Sequence, residues 1–190
     1  MGNEFTRWYP PHLMMTDLQW WLLELNVPGF SCQLLPHSPP QDMGLFVDAS
    51  TLWGIGIVVD GKWAAFKLHE GWKVEGRDIC WLETVAVEIL IYILEAMGVT
   101  NTTLLIHSDN QGTIHSLDKG RSRNFHINLS IHHAHIVLAS QLITPELIYI
   151  ASKNNPADPI SHRELGSIET RITTLFSLPD ELKHIFLNAL

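Results

Sequence analysis

At 190 residues the chain is long enough for one domain of ordinary size plus an extension, since a single core usually spans roughly 100–150 residues. It is 46% hydrophobic and 17% charged, no apolar run nears the ~20 residues that span a bilayer, and Met1 to Pro10 lacks the basic-then-apolar order of a secretory signal, so a soluble chain with no membrane role is expected. Cys32 and Cys80 are too few and too far apart for a disulfide framework or a Cys-rich zinc site, which points to an intracellular compartment, cytoplasm or nucleus, and a net charge of −8 counts against gripping nucleic acid by charge alone.

Met14 to Leu25 (MMTDLQWWLLEL) carries apolar residues at helical spacing and ends near the breaker pair Pro28-Gly29, which predicts a short helix. The connector after it, with Pro28, Pro36, Pro39 and Pro40 among Ser, Gly and His, has irregular composition, so residues 1–42 read as an arm. From Gly44 the runs GLFVDAS, GIGIVVD and WAAFKLH predict three antiparallel strands, the last two joined by a hairpin loop at Gly61-Lys62. Asp78 can cap a long helix through about Met97, stopped by Gly98, and Thr103 to His107 reads as a buried strand. Asn110 to Leu117 and His126 to Gln141 fit helices, Glu146 to Ala151 fits a last strand, and Pro156 opens a further helix. The stretch from Leu178 (LPDELKHIFLNAL) reads as an amphipathic helix. The domain proper is thus expected over 43–166, with a helical tail over 167–190. The order is β-β-β-α-β-α-α-β-α: an α/β fold with a mixed five-stranded sheet and helices on both faces.

Four acids occupy positions that carry chemistry. Asp48 follows Leu45-Phe46-Val47 on the first strand, where the alternative to function is an Asp accepting local backbone N–H bonds. Asp109 ends TLLIHSD just before a helix and could be its N-cap. Asp158 sits in the first turn after Asn155-Pro156, where the helix dipole favours acids. On the helix from Asp78, Glu88 and Glu95 fall near Thr84 on an expected solvated face. Glu83 lies about 140° from Glu88 at ~100° per residue, inside the arc of Val87, Leu90 and Leu94 that should face the sheet. A carboxylate on a buried arc needs a partner. The first strand carries no cation and supplies Asp48, so a shared metal ion is the natural answer.

The segments LFVDAS, WLETVAVEI, LLIHSDNQGTI and YIASKNNPADPISHRE resemble the ribonuclease H domains of retroelement reverse transcriptases, most closely those of DIRS-type and hepadnavirus-like polymerases. The likeness spans about residues 44 to 165, with SDNQG and NPAD its most specific pieces. It implies a ribonuclease H-like fold and an endonuclease that hydrolyses the RNA strand of an RNA–DNA hybrid with two Mg²⁺ or Mn²⁺ ions. It also implies that Asp48, Glu83, Asp109 and Asp158 are both catalytic residues and metal ligands. Met14 to Leu25 is similar to the stretch that precedes this domain in such polyproteins, which makes a polymerase domain or another subunit an expected partner. The chain departs from the family just after Asp158, where Pro-Ile-Ser-His-Arg moves the arginine one position and places His162 four residues past the acid.

His162 is an auxiliary candidate for proton transfer or product release, since i and i+4 share a helix face; the alternative is a surface histidine. Lys119, Arg121, Arg123 and Asn124 form the densest basic loop and resemble the family's GRSRN run, which predicts contact with a nucleic-acid backbone. The alternative is a solvated loop opening a helix. No Lys- and Trp-rich handle lies between Thr113 and Gln141, so hybrid binding is expected to be weak without a neighbouring domain. His126, His132, His133 and His135 lack a cysteine or an HExxH pattern, which counts against zinc. Integrases and transposases place the helix glutamate last in chain order, whereas Glu83 is second. Proofreading exonucleases keep a Glu two residues after the first Asp, where this chain has Ser50. The competing reading from another class is a non-catalytic module of the same fold that binds nucleic acid or protein.

Overall fold

The computed structural model describes residues 12–26 and 39–188. The chain divides into two compact units, residues 1–36 and 37–190. In the first, helix α1 (His12–Leu25) matches the helix expected from Met14 to Leu25, and Trp20 and Trp21 meet edge to face at 4.9 Å. Most of the proline-rich connector, and Cys32, lie outside the described residues.

The second unit begins with three antiparallel strands, β1 (Gln41–Ala49), β2 (Gly54–Val59) and β3 (Lys62–Leu68). The β2–β3 turn is Asp60-Gly61, one residue earlier than the sequence suggests. Both residues have positive φ, 49° and 72°, the requirement of a tight primed hairpin turn that Asp-Gly meets at low cost. Helix α2 (Ile79–Ala96) starts where Asp78 accepts from the Trp81 amide at 3.0 Å. Next come β4 (Thr102–Ser108), α3 (Gln111–Asp118), α4 (Phe125–Gln141) and β5 (Ile143–Tyr149). β5 starts three residues before the expected Glu146. Leu142, at φ 55° in the left-handed region, turns the chain straight out of α4 so that Ile143 already pairs with Thr102. Helix α5 (Asp158–Ser161) is a single turn that begins two residues after Pro156, so the expected opening proline lies in the turn before it and Pro159 is the proline of its first turn.

Two expectations fail. The region from Leu178 is not one amphipathic helix: it forms a turn of helix, α6 (Asp180–Lys183), and then strand β6 (Phe186–Asn188) antiparallel to β3. The mixed sheet therefore has six strands, not five, in the order β5-β4-β1-β2-β3-β6. The reason is packing: Leu182, Ile185 and Phe186 are all buried in the main core, and β6 pairs along β3, leaving less of that sheet edge open. Nor does α2 have a solvated face at Thr84 and Glu88, both of which are buried. The helix packs on the sheet with one side and on α4 with another, as suits a sequence apolar nearly all round.

Strand alternation divides the interior. Leu45, Val47, Ile55, Ile57, Ala64 and Phe66 join α2 and α4 in the large core. From the opposite face Val58, Trp63 and Ala65 form a smaller cluster with Ala157 and Ile160 of the α5 segment. β1 and β4 are adjacent and parallel. From β1 the chain leaves towards β2, and from β4 towards β5 on the other side. A crevice at the carboxyl ends of two such strands is where open α/β sheets place their ligands.

Candidate metal centre

The crevice at the ends of β1 and β4 is lined by carboxylates. Asp48 is the penultimate residue of β1, and Asp109 immediately follows β4. Glu83 reaches in from the second turn of α2, with its Oε1 accepting the Ala49 amide at 3.3 Å. One carboxylate oxygen from each of Asp48, Glu83 and Asp109 falls within a group no wider than 4.8 Å. A second group of the same width joins Asp48, Asp158 and His162. Asp48 belongs to both, so the four acids expected to converge, together with the auxiliary histidine, do come together.

The alternative explanations for single acids weaken in the folded chain. Asp109 is not the cap of α3; Asn110 is, accepting the Thr113 amide at 3.0 Å. Asp109 instead accepts a hydrogen bond from Ser152. Asp48 does not spend its carboxylate on a local turn but accepts from Ser161, on α5. Asp158 occupies the first turn of α5 as expected, but that turn is too short for a dipole argument to carry much.

Burial dominates the electrostatics of the two innermost acids. Asp48 is 3% exposed, and burial raises its pKa from 3.8 to about 7, against the Ser161 hydrogen bond that lowers it, with Asp109 and Asp158 raising it further. Glu83 is also 3% exposed. Burial, then Asp48 and Asp109, push it from 4.5 to about 9. Its Oε2 is buried with no hydrogen-bond partner, an unusual state for a buried polar atom and one that an ion bound among these acids would relieve. Three oxygen donors at this spacing suit a hard divalent cation such as Mg²⁺ or Mn²⁺.

Several contributors had no assigned role in the sequence. Asn155 is buried; its Nδ2 donates to the Val47 carbonyl at 2.9 Å and its Oδ1 accepts the Ala157 amide at 3.1 Å, so it ties the α5 segment to β1 beside Asp48. Gly56 pairs with Asp48 across β1 and β2, and a Cβ there would lie 2.4 Å from the Ala157 carbonyl oxygen and 2.6 Å from the Ser161 amide. A glycine inside a strand pattern is the available signal for such a close approach. Ser152 and Ser161 carry no comparable signal.

The basic loop is arranged differently from the acids. Lys119 ends α3, and Asn124 caps α4, accepting from His126 and Ile127 while donating to the Gly76 carbonyl at 2.6 Å. Its amide is thus engaged by the protein. Arg121 and Arg123 are exposed, and no ion pair engages either among the described residues. The histidines of α4 gather no metal-binding group among the described residues; His133 instead pairs with Glu88 at 3.0 Å. No protein family matches the chain, and no curated protein matches it significantly.

Proposed function

We propose that the chain is a ribonuclease H-like endonuclease, derived from a retroelement polymerase, that hydrolyses the RNA strand of RNA–DNA hybrids. The observation that carries the reading is the buried, unpartnered Glu83 Oε2 set against Asp48 and Asp109. Three acids crowded together without an ion pair are costly, and a cation-dependent reaction gives that arrangement a use. The β-β-β-α-β-α-α-β order and the chain order Asp, Glu, Asp, Asp support the same reading.

Asp48, Glu83 and Asp109 would hold one divalent ion, and Asp48 with Asp158 a second. When bound, such ions activate a water for attack on phosphorus and stabilise the departing 3′ oxygen. The protein's own residues set the frame. Ser161 and Ser152 fix Asp48 and Asp109; Asn155 and Gly56 keep the α5 segment against the sheet, so that Asp158 stays beside Asp48. By the family resemblance, Glu83 would also orient a nucleotide 2′-OH, the group that separates RNA from DNA. Arg121 and Arg123 would contact the phosphodiester backbone.

The test is cleavage of an end-labelled RNA–DNA hybrid by the purified chain. Cleavage of the RNA strand in Mg²⁺ or Mn²⁺, its absence in EDTA, and its loss in Glu83→Gln are the expected results. A clean preparation inert across metal and salt titrations, yet binding the hybrid, would replace the enzyme with the binding-module reading.

A further inference from the structure

We infer that a strip of aromatic and cationic side chains at the start of α4 binds single-stranded nucleic acid, with a base stacked on Phe125 and phosphates held by Arg77 and Arg123. The inference goes beyond the nuclease reading and does not need a metal ion at the acidic centre. Phe125 is 71% exposed and belongs to neither apolar core, so packing gives no account of it. Its ring meets that of His126 at 5.6 Å, His126 meets Trp81 at 6.4 Å, and Trp81 stacks on Trp72 at 6.2 Å. Ring contacts thus run unbroken from Phe125 to Trp72. Trp81 is buried, whereas His126 and Trp72 are only half-buried.

Cations are interleaved with these rings. The Arg77 guanidinium lies over Trp81, 5.1 Å from the ring centre, and its Nε has no hydrogen-bond partner. Arg77 is therefore oriented by an aromatic face and not by an acid. Lys73, Arg121 and Arg123 are exposed, and no ion pair among the described residues engages any of these four cations. Two acids of the same region are already used: Asp78 accepts the Trp81 amide, and Glu88 accepts from Ser130, Tyr92 and His133. Glu70, Glu75 and Glu181 are exposed, so attraction for phosphate is local and the rings must contribute to affinity.

The loop between α3 and α4 is ordered before any ligand arrives. The Ser122 amide donates to Asn128 Oδ1 at 2.6 Å, and Asn128 Nδ2 donates back to the Ser122 carbonyl at 2.7 Å. Asn124 caps α4 and donates to the Gly76 carbonyl at 2.6 Å, tying the loop to the segment that bears Lys73 and Arg77. Less conformational freedom is then lost on binding. The surroundings select the occupant. An apolar protein surface would want apolar neighbours, but Phe125 follows Arg121, Ser122, Arg123 and Asn124 in the chain. An exposed ring beside arginines suits an unpaired base and its phosphates, whereas in a duplex each base face is already covered by its neighbours.

The experiment is fluorescence anisotropy of labelled, unstructured strands of about 12 nucleotides, one RNA and one DNA of the same sequence, titrated with the full chain in EDTA. Saturable binding is expected for wild type, and the two strands show which sugar is preferred. Phe125→Ala should weaken binding at least about fivefold, the lower end for one lost base stack, without changing its salt dependence. Arg123→Gln should flatten the logarithmic salt slope by about 0.7, the value of one phosphate contact on a single strand. Phe125→Trp should keep the affinity, and the indole it introduces should add fluorescence quenching beyond that of wild type when a strand binds. Thermal melts check that each variant is folded. No saturable binding of either strand, wild-type affinity in folded Phe125→Ala, or no added quenching in Phe125→Trp overturns the inference and leaves the nuclease reading standing, because no step of this test involves a metal ion. Strand binding without metal-dependent cleavage of the hybrid overturns the nuclease reading alone.

Discussion

Asp48 and Glu83 are shifted in the same direction and by the same leading cause, loss of water around the charged form. Both folded-state pKa values, about 7 and about 9, lie above the ordinary 3.8 and 4.5, so between those limits the folded chain binds more protons than the unfolded one. Without metal, the stability these groups contribute is fully present below about pH 4 and is lost as pH rises through 7 to 9. Divalent cations compete with those protons, so metal affinity should rise over the same interval and binding at neutral pH should release protons. Calorimetric titration of Mg²⁺ in two buffers of different ionisation enthalpy, at pH 6 and pH 8, checks this; affinity independent of pH would place the ion elsewhere. A second prediction concerns Asp109, which raises both neighbours electrostatically and caps no helix. Asp109→Asn should leave the metal-free melting temperature unchanged or higher, abolish the proposed cleavage, and blunt the stabilisation that Mg²⁺ gives by binding the folded state. Equal Mg²⁺ responses in mutant and wild type would remove Asp109 from the centre.

Among elements, α5 shows how one turn of chain can decide whether a site exists. It rests on the sheet because Gly56 leaves room for the Ala157 carbonyl and the Ser161 amide. Gly56→Ala should push α5 off β2, cost about 1–3 kcal/mol as overpacking does, and lower the proposed activity more than its effect on melting would suggest, because Asp158 and Ser161 move together; cleavage at wild-type rate would show that α5 is dispensable. Helix α2 gives the opposite case, a buried acid remote from the proposed chemistry. Glu88 is 1% exposed and accepts from Ser130, from Tyr92 at 3.1 Å and from His133 at 3.0 Å. Glu88→Ala should destabilise the fold by about 3–5 kcal/mol, the cost of breaking a buried polar cluster from one side, while folded protein keeps the metal response of wild type. The sequence misplaced Glu88 because a helical wheel assumes one wet face, and α2 contacts α4 as well as the sheet. Glu83 was legible by the same wheel because its arc carries Val87, Leu90 and Leu94, all of them buried. Ser161 and Ser152 were not legible: a serine announces a partner only once tertiary contacts exist.

For the molecule as a whole, periodicity and breakers marked the elements from β1 to α5 well, because each is bounded locally: Asp78, Asn110 and Asn124 cap helices, and Asp60-Gly61 closes a hairpin. The C-terminal segment was misread for a non-local reason. Leu182, Ile185 and Phe186 have helical spacing, but the same residues serve a short helix followed by an edge strand, and the open edge of β3 that selects the second arrangement lies more than 110 residues earlier in the chain. Deletions at the two ends should therefore behave differently. Removing residues 1–36 takes away one compact unit and leaves the other with its own sheet and core, so 37–190 should remain cooperatively folded. Removing 179–190 takes only twelve residues, but among the described ones Leu182, Ile185 and Phe186 are core side chains, and Phe186 stacks on Trp81 with ring centres 6.5 Å apart. At roughly 1.5–3 kcal/mol for each fully buried apolar side chain, the loss is about 5–9 kcal/mol against a total stability typically of 5–15 kcal/mol. It also uncovers Phe66 to Leu68 of β3 as an unpaired edge, a template for association between chains. The shorter chain should show a broadened or absent thermal transition and concentration-dependent aggregation by light scattering. A sharp, two-state melt within a few degrees of the full chain would show that β6 and α6 only decorate a core complete without them.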